Sequence, residues 1–192
     1  RETLPAVEGI YGYYGRSLFN CPYCDGWELR DKPLVIIAES ERAASHLPKV
    51  VYQWSRDIVV CTNGHQALSD GQKLFLGKYG IRVIGDKILA LVGQAGQLER
   101  IIFENHRDVE RVGGFVEIQR KQATTIAQEL MCETDEVGGI LTDELGRTNI
   151  KGVYAAGDAV SFMQNQLVWA AASGSRAAVG VNTDLTASFF DR

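Results

Sequence analysis

Two thiols and a carboxylic acid lie close together in Cys21-Pro22-Tyr23-Cys24-Asp25-Gly26-Trp27. Cysteines separated by two residues can close a small disulfide ring, and opening that ring takes up two electrons. The thiolate released needs a proton, which a carboxyl group next in sequence can shuttle. Asp25 can equally be a turn residue ahead of Gly26. A second run, Gly152-Val153-Tyr154-Ala155-Ala156-Gly157-Asp158, reads as an apolar strand ending in small residues and a carboxylate. Small residues let a backbone come near a ligand, and a strand-end Asp can accept hydrogen bonds from hydroxyls. Taken alone, the same run is a strand followed by a turn.

The dithiol admits three readings. Half of a zinc site needs a second cysteine pair or closely spaced histidines. Cys61 and Cys132 stand alone, and His46, His65 and His106 are far apart, so no metal site is expected. Cys61 and Cys132 read instead as small apolar residues. A small thioredoxin-type or glutaredoxin-type domain would place the pair after its first strand. Here the long remainder of the chain organises as two further α/β units, which argues against that. The third reading is a dithiol working beside a redox cofactor, and the adjacent Asp25 favours it.

The surrounding elements follow from apolar spacing. Leu4 to Gly15, with Pro5, Gly9, Gly12 and Gly15, reads as a linker. Leu34 to Ala38, Ile58 to Cys61 and Ile81 to Ile84 are short apolar runs suited to strands buried on both faces. Between them, Glu39 to Trp54 reads as a helix that Pro48 should bend or split. A second helix, capped by Ser69 or Asp70, runs to about Tyr79. This alternation implies right-handed crossovers and a parallel sheet. Lys87 to Val92 and Gln97 to Glu104 form a hairpin around Gly93-Gln94-Ala95-Gly96. Gly113-Gly114 suggests a domain boundary, followed by a strand at Phe115 to Ile118 and a short helix at Thr124 to Leu130. Strands are expected at Gly138 to Thr142 and Gly152 to Ala156, around a turn at Glu144-Leu145-Gly146. A last helix is expected from Gln166 to Val181, rich in Ala and Gly on one side. The aromatic set Tyr11, Tyr13, Tyr14, Phe19, Tyr23 and Trp27 reads as inter-domain packing.

The totals set bounds. The 192 residues, 45% of them apolar, suffice for one large domain or two small ones. A net charge of -4 without a basic stripe gives no support for nucleic-acid binding. No apolar run is long enough to span a membrane. Four cysteines with one close pair fit a reducing compartment. The expectation is a cytoplasmic protein whose chain begins upstream of Arg1.

The order G-R-S-x-x-x-C-x-x-C-D-G, then strand-turn-helix, then G-V-Y-A-A-G-D, then a helix opening near Asn165-Gln166, resembles the thioredoxin reductase family of flavoproteins. The likeness spans the later two-thirds of a typical member. It implies an α/β fold of two Rossmann-like three-layer units. Residues 1-15 would be a linker from the FAD domain, and 16-112 a nicotinamide-type domain bearing the dithiol. Residues 113-192 would be the C-terminal part of the FAD-binding domain. The resemblance implies that Cys24 faces the flavin, Cys21 exchanges with an external thiol or disulfide, and Asp25 is the acid–base group. It gives Asp158 the FAD ribityl hydroxyls, with Gly157 allowing close approach. Asn165, Gln166 and Leu167 would lie at the isoalloxazine; Asn165 stands where many members have Arg. Expected partners are a small dithiol or disulfide, or a thioredoxin-like protein, and a second copy in a homodimer.

Two departures bear on the electron source. The nicotinamide loop should read G-x-G-x-x-A, and this chain has Ala38-Glu39-Ser40-Glu41-Arg42-Ala43. Cys61-Thr62-Asn63 follows the second strand, where NADPH-using members carry basic residues. Weak or absent NADPH binding is therefore expected. Gln119-Arg120-Lys121-Gln122 also replaces a Gly- and Pro-containing run. The function expected is an FAD-dependent thiol–disulfide oxidoreductase, including the dithiol oxidase case. The alternative is a non-catalytic binding or regulatory relic of the same fold.

Overall fold

The computed structural model describes residues 1–161 and 165–190. It divides into two compact units, Thr3–Gln119 and Arg1–Glu2 with Arg120–Arg192. In chain order the first unit contains a helical turn at Ile10–Tyr13 (α1), a short strand at Leu18–Phe19 (β2) and a helical turn at Pro22–Asp25 (α2). Leu34–Ile37 (β3), Glu41–Val51 (α3), Ile58–Cys61 (β4), Asp70–Gly77 (α4) and Arg82–Ile84 (β5) follow. Then come Ile88–Gln94 (β6), Gln97–Phe103 (β7), Val109–Glu110 (β8) and Gly113–Val116 (β9). Two dipeptide strands, Glu2–Thr3 (β1) and Gln119–Arg120 (β10), pair with each other.

Strands β2, β9, β3, β4 and β5 form, in that order, one parallel sheet. Its middle strands are apolar at every position because both faces are covered. Val35, Ile37, Val59 and Cys61 pack on one face with the β6–β7–β8 sheet. Leu34, Ile36, Ile58 and Val60 pack on the other with Ala44, Val51 and Leu76 of α3 and α4. The three layers are thus antiparallel sheet, parallel sheet and helices. A fully buried Leu or Ile contributes about 1.5 to 3 kcal/mol, so the alternate residues of β3 and β4 hold both interfaces at once.

Local signals behave as their chemistry demands. Ser69 and Gln72 make a reciprocal cap at the start of α4. Ala95 and Gly96, at φ of 51° and 81°, close the β6–β7 hairpin in two residues rather than the expected four. The buried Ser17 hydroxyl donates to Gly96 O at 2.9 Å and accepts from Leu98 N at 3.0 Å, tying that turn down. Pro48 lies inside α3 without splitting it.

Three expectations are corrected. Gly113-Gly114 is not a boundary: both glycines belong to β9, which pairs with β3 and β2. They are small because the sheet closes on them; a Cβ on Gly114 would lie 1.9 Å from Val35 O. The units divide at residues 119 and 120 instead. Residues 4–15 are not merely a linker, since Val7, Ile10 and Tyr13 are buried in the core of the first unit. The strands expected at 138–142 and 152–156 are reduced to single bridges, Thr134 with Ile140 and Arg147 with Tyr154. No neighbouring strand among the described residues of that unit extends them into a ladder.

The second unit contains a turn of helix at Ile126–Glu129 (α5), a 3-10 turn at Gly157–Ala159 and the long helix Leu167–Phe190 (α6). Close approach explains its small residues. A Cβ on Gly180 of α6 would meet Leu145 O at 2.4 Å, and one on Gly146 would meet Ala177 Cβ at 2.7 Å. Side chains supply the remaining ties. Arg147 donates to Asp184 at 2.8 and 2.7 Å, and Tyr154 Oη donates to the same carboxylate at 2.6 Å. Asp143 Oδ1 accepts from the backbone of Leu145 and Arg147. These partners hold the Asp184 carboxyl down at about 2, chiefly through the Arg147 hydrogen bonds and then that of Tyr154.

Candidate functional site

Cys21 and Cys24 form a disulfide with Cα atoms 5.3 Å apart. Cys21 caps the N-terminus of α2, extended at φ -118°, and Pro22 takes the first helical position. That is where a missing N–H costs nothing and a fixed φ suits the helix. Backbone N–H groups of Cys24 and Asp25 donate to Cys21 O, so one turn carries both sulfurs and the acid. Gly26 ends the turn under Trp54; a Cβ there would lie 2.4 Å from Pro22 O and 2.7 Å from the indole. The glycine after the motif is therefore required by packing.

Cys24 is exposed and Cys21 half-buried. Asp25 is half-buried, and its carboxyl is raised above the usual range, mainly by burial and secondly by Glu28. A raised carboxyl holds its proton closer to neutral pH, where it can pass it to a sulfur. Tyr23 stacks edge-on against Trp54, with ring centres 5.7 Å apart, and Arg30 lies over the Trp27 ring at 4.1 Å. The aromatic set seen in sequence is not one cluster. Tyr13 is in the core and donates to Gly93 O, whereas Tyr11, Tyr23 and Trp27 are exposed. The other cysteines differ from this pair. Burial pushes the Cys61 thiol up to about 12, leaving it inert, while Cys132 is half-buried near Thr148.

The remaining residues singled out in sequence lie in the other unit. Gly157 and Asp158 form the 3-10 turn, with Asp158 exposed and Gly157 at φ 66°. Gly157 N donates to Ser173 Oγ of α6 at 2.9 Å, and a Cβ on Gly157 would sit 3.4 Å from Ala170 Cβ. Ser173 was not evident in sequence, being one hydroxyl in a helix of small residues. Gln122 Nε2 donates to Gly138 O and Ala159 O, each at 2.8 Å. The departure at residues 119–122 therefore supplies a brace under the Asp158 turn. Asn165 Oδ1 is buried with no hydrogen-bond partner among the described residues. Gln166 and Leu167 are exposed at the start of α6. An available carboxylate, a backbone open to close approach and an unpartnered buried oxygen fit a polyhydroxylated cofactor such as FAD.

The loop after β3 is also built from unanticipated contacts. Glu117, just past β9, accepts at Oε2 from Glu39 N at 2.8 Å and Ser40 N at 2.9 Å. Its Oε1 accepts from Ser40 Oγ at 2.5 Å. Asn63 Nδ2 donates to Glu39 Oε1 at 2.7 Å, and Asn63 Oδ1 accepts from Ile88 N at 2.9 Å. A carboxylate one residue beyond a wholly apolar strand was the available signal for Glu117. Among the described residues, no group of acids, cysteines or histidines is placed to hold a metal. No helix among them is long and apolar enough to cross a membrane.

A family model described as pyridine nucleotide-disulphide oxidoreductase matches residues 3–175. The thioredoxin reductase sirT of Leptosphaeria maculans is 28% identical across 95% of this chain and 59% of its own length. The thioredoxin reductase of Helicobacter pylori is 25% identical across 91% of this chain and 60% of its own. Among solved structures, a protein designated thioredoxin reductase TrxB from Bacillus anthracis superposes with a TM-score of 0.93 at 39% identity. That match covers 99% of this chain and 63% of the other. HlmI superposes with a TM-score of 0.86 at 31% identity, over 97% and 57%. The chain thus spans about three-fifths of the relatives it matches.

Proposed function

The chain belongs to the pyridine nucleotide-disulphide oxidoreductase family, and from that premise we propose that it is the dithiol-bearing part of a flavin-dependent thiol–disulfide oxidoreductase. The observation that carries this reading is the Cys21–Cys24 disulfide on one short turn with Asp25, whose carboxyl is raised. Reduction breaks the S–S bond with two electrons and two protons and yields two thiols; oxidation reverses it. In this reading Cys24, the more exposed residue of the pair, faces the flavin, and Cys21 forms the mixed disulfide with an external partner. Asp25 supplies or takes the proton at the sulfur that is released or attacked. FAD, when bound, supplies a carrier for the electron pair. Asp158 and Gly157 would hold its ribityl chain, and Asn165, Gln166 and Leu167 its ring system. The external partner is a small dithiol or disulfide or a thioredoxin-like protein, and the working form is a homodimer.

The test uses the full-length protein. Anaerobic dithiothreitol should bleach the bound flavin spectrum. Cys24→Ser should slow that bleaching by a factor on the order of 10³ or more. A colourless protein, or bound flavin indifferent to dithiol, would overturn this reading in favour of a non-catalytic module of the same fold.

A further inference from the structure

Open α/β sheets bind ligands outside the carboxyl ends of their strands, where the strand order reverses. In this sheet the order runs β3, β4, β5 in one direction while β9 lies on the other side of β3. The reversal therefore falls between β3 and β9. A cavity of about 330 Å³ opens there, lined by Leu4, Pro5, Glu39, Ser40, His65 and Glu117 among others. A dinucleotide would bring its pyrophosphate to the backbone N–H groups at the start of α3, as anions bind at helix N-termini.

The loop's own donors, just ahead of the first helical residue, are already taken. Glu117 N donates to Ile37 O at 2.8 Å, which fixes its backbone beside the end of β3. From there its carboxylate gathers the N–H groups of Glu39 and Ser40 and the Ser40 hydroxyl. Ser40 Oγ in turn accepts from Ala43 N. One side chain thus makes three charge-assisted hydrogen bonds where a phosphate would make its own. The second anchoring position is spent as well. A residue past the second strand normally contacts the adenine-side ribose. Here that residue, Asn63, is held between Glu39 and the backbone of Ile88.

We propose that Glu117 is the built-in anion of this loop and that it excludes the pyrophosphate of a nicotinamide dinucleotide from the unit. A pyrophosphate entering the loop would have to displace a tethered carboxylate and sit beside both it and Glu39. The residues at this site do not fit NADPH, and the misfit has one dominant side chain. This goes beyond the missing glycines, because a variant loop that kept its backbone donors could still bind an anion. It is independent of the dithiol reading, since it is read by binding and not by turnover.

The experiment is calorimetric titration of the full-length protein with NADPH and, separately, with ADP. The wild-type protein should give no saturable heat into the millimolar range. Glu117→Ala should bind both with affinity raised on the order of tenfold or more. In amide NMR spectra the responding signals should be those of Glu39 and Ser40. Glu117→Gln keeps the size of the side chain and one acceptor but not the charge, and should show a smaller gain in the same direction. Micromolar binding of NADPH by the wild-type protein would overturn the proposal. So would Glu117→Ala and Glu117→Gln variants that fold, by thermal melting, and bind no better than wild type.

Discussion

Residues 3–119 are closed by backbone ladders with apolar side chains on both faces, whereas the described residues of the second unit rest on polar side chains that catch loops. In the first unit β3 and β4 are buried at every position. In the second, the described residues of α6 bury little beyond Ala177 and Gly180, and Leu167, Val168, Phe189 and Phe190 are exposed. Its loops are pinned by Asp143, Arg147, Asp184, Tyr154 and Gln122. Ladder-built structure is decided by pattern and repeats along the strand. Side-chain-pinned structure depends on a few groups whose charge can be changed by one substitution or by pH.

The largest break in this contrast is expected at Gly114. A Cβ there would lie 1.9 Å from Val35 O, so Gly114→Ala must push two central strands apart. Thermal or urea unfolding should show a loss of about 3 kcal/mol or more, confined to residues 3–119 in hydrogen exchange. Arg147→Ala should act on the other unit alone. It removes both bonds to Asp184 and the one to Asp143. Amides of α6 near Asp184 should exchange faster while those of β3 and β4 stay protected.

Acid should do part of the same work. The folded Asp184 carboxyl sits at about 2, below the ordinary carboxylate value near 4. Its contribution is therefore fully present above about pH 4 and is lost as pH falls through about 2. Exchange protection in α6, corrected for the intrinsic pH dependence, should fall over that window in wild type and fall less in Arg147→Ala, where the Tyr154 hydrogen bond still lowers the carboxyl. Thiol labelling sharpens the comparison further. Iodoacetamide at pH 8 should modify Cys132 and spare Cys61, whose thiol is held up at about 12 by burial. Labelling of Cys61 in the folded protein would contradict the closed core.

The smallest effect on folding is expected at the site itself. The raised Asp25 carboxyl means the native state prefers its protonated form, so ionisation at neutral pH works against folding. Asp25→Asn should leave the melting temperature unchanged or slightly higher. Flavin bleaching by dithiol should nonetheless slow on the order of 10²-fold, with its pH dependence flattened.

The legibility of these features follows their physics. The runs Leu34 to Ala38 and Ile58 to Cys61 announced strands buried on both faces because they are short, wholly apolar and rich in β-branched residues. The start of α4 was legible from Ser69 and Asp70 as capping residue types, and the structure selects Ser69, with Gln72 as its reciprocal partner. Gly113-Gly114 misled because glycine serves both chain breaks and tight packing, and only the neighbouring Val35 carbonyl distinguishes the two. The strands at 138–142 and 152–156 misled because a strand-like pattern forms a ladder only beside a partner, and here each found one bridge.

The sequence by itself determined the dithiol spacing, the strand–helix alternation from Leu34 to Ile84 that calls for a parallel sheet, and the loss of the loop glycines after β3. Each of these rests on residue types and their spacing along the chain. Tertiary structure alone decided that Glu117 fills that loop from 77 and 78 residues away, and that Gln122 braces the Asp158 turn. A carboxylate or an amide carries no mark of its distant partner. Which donor it finds is fixed only when the sheet and loops bring the two together.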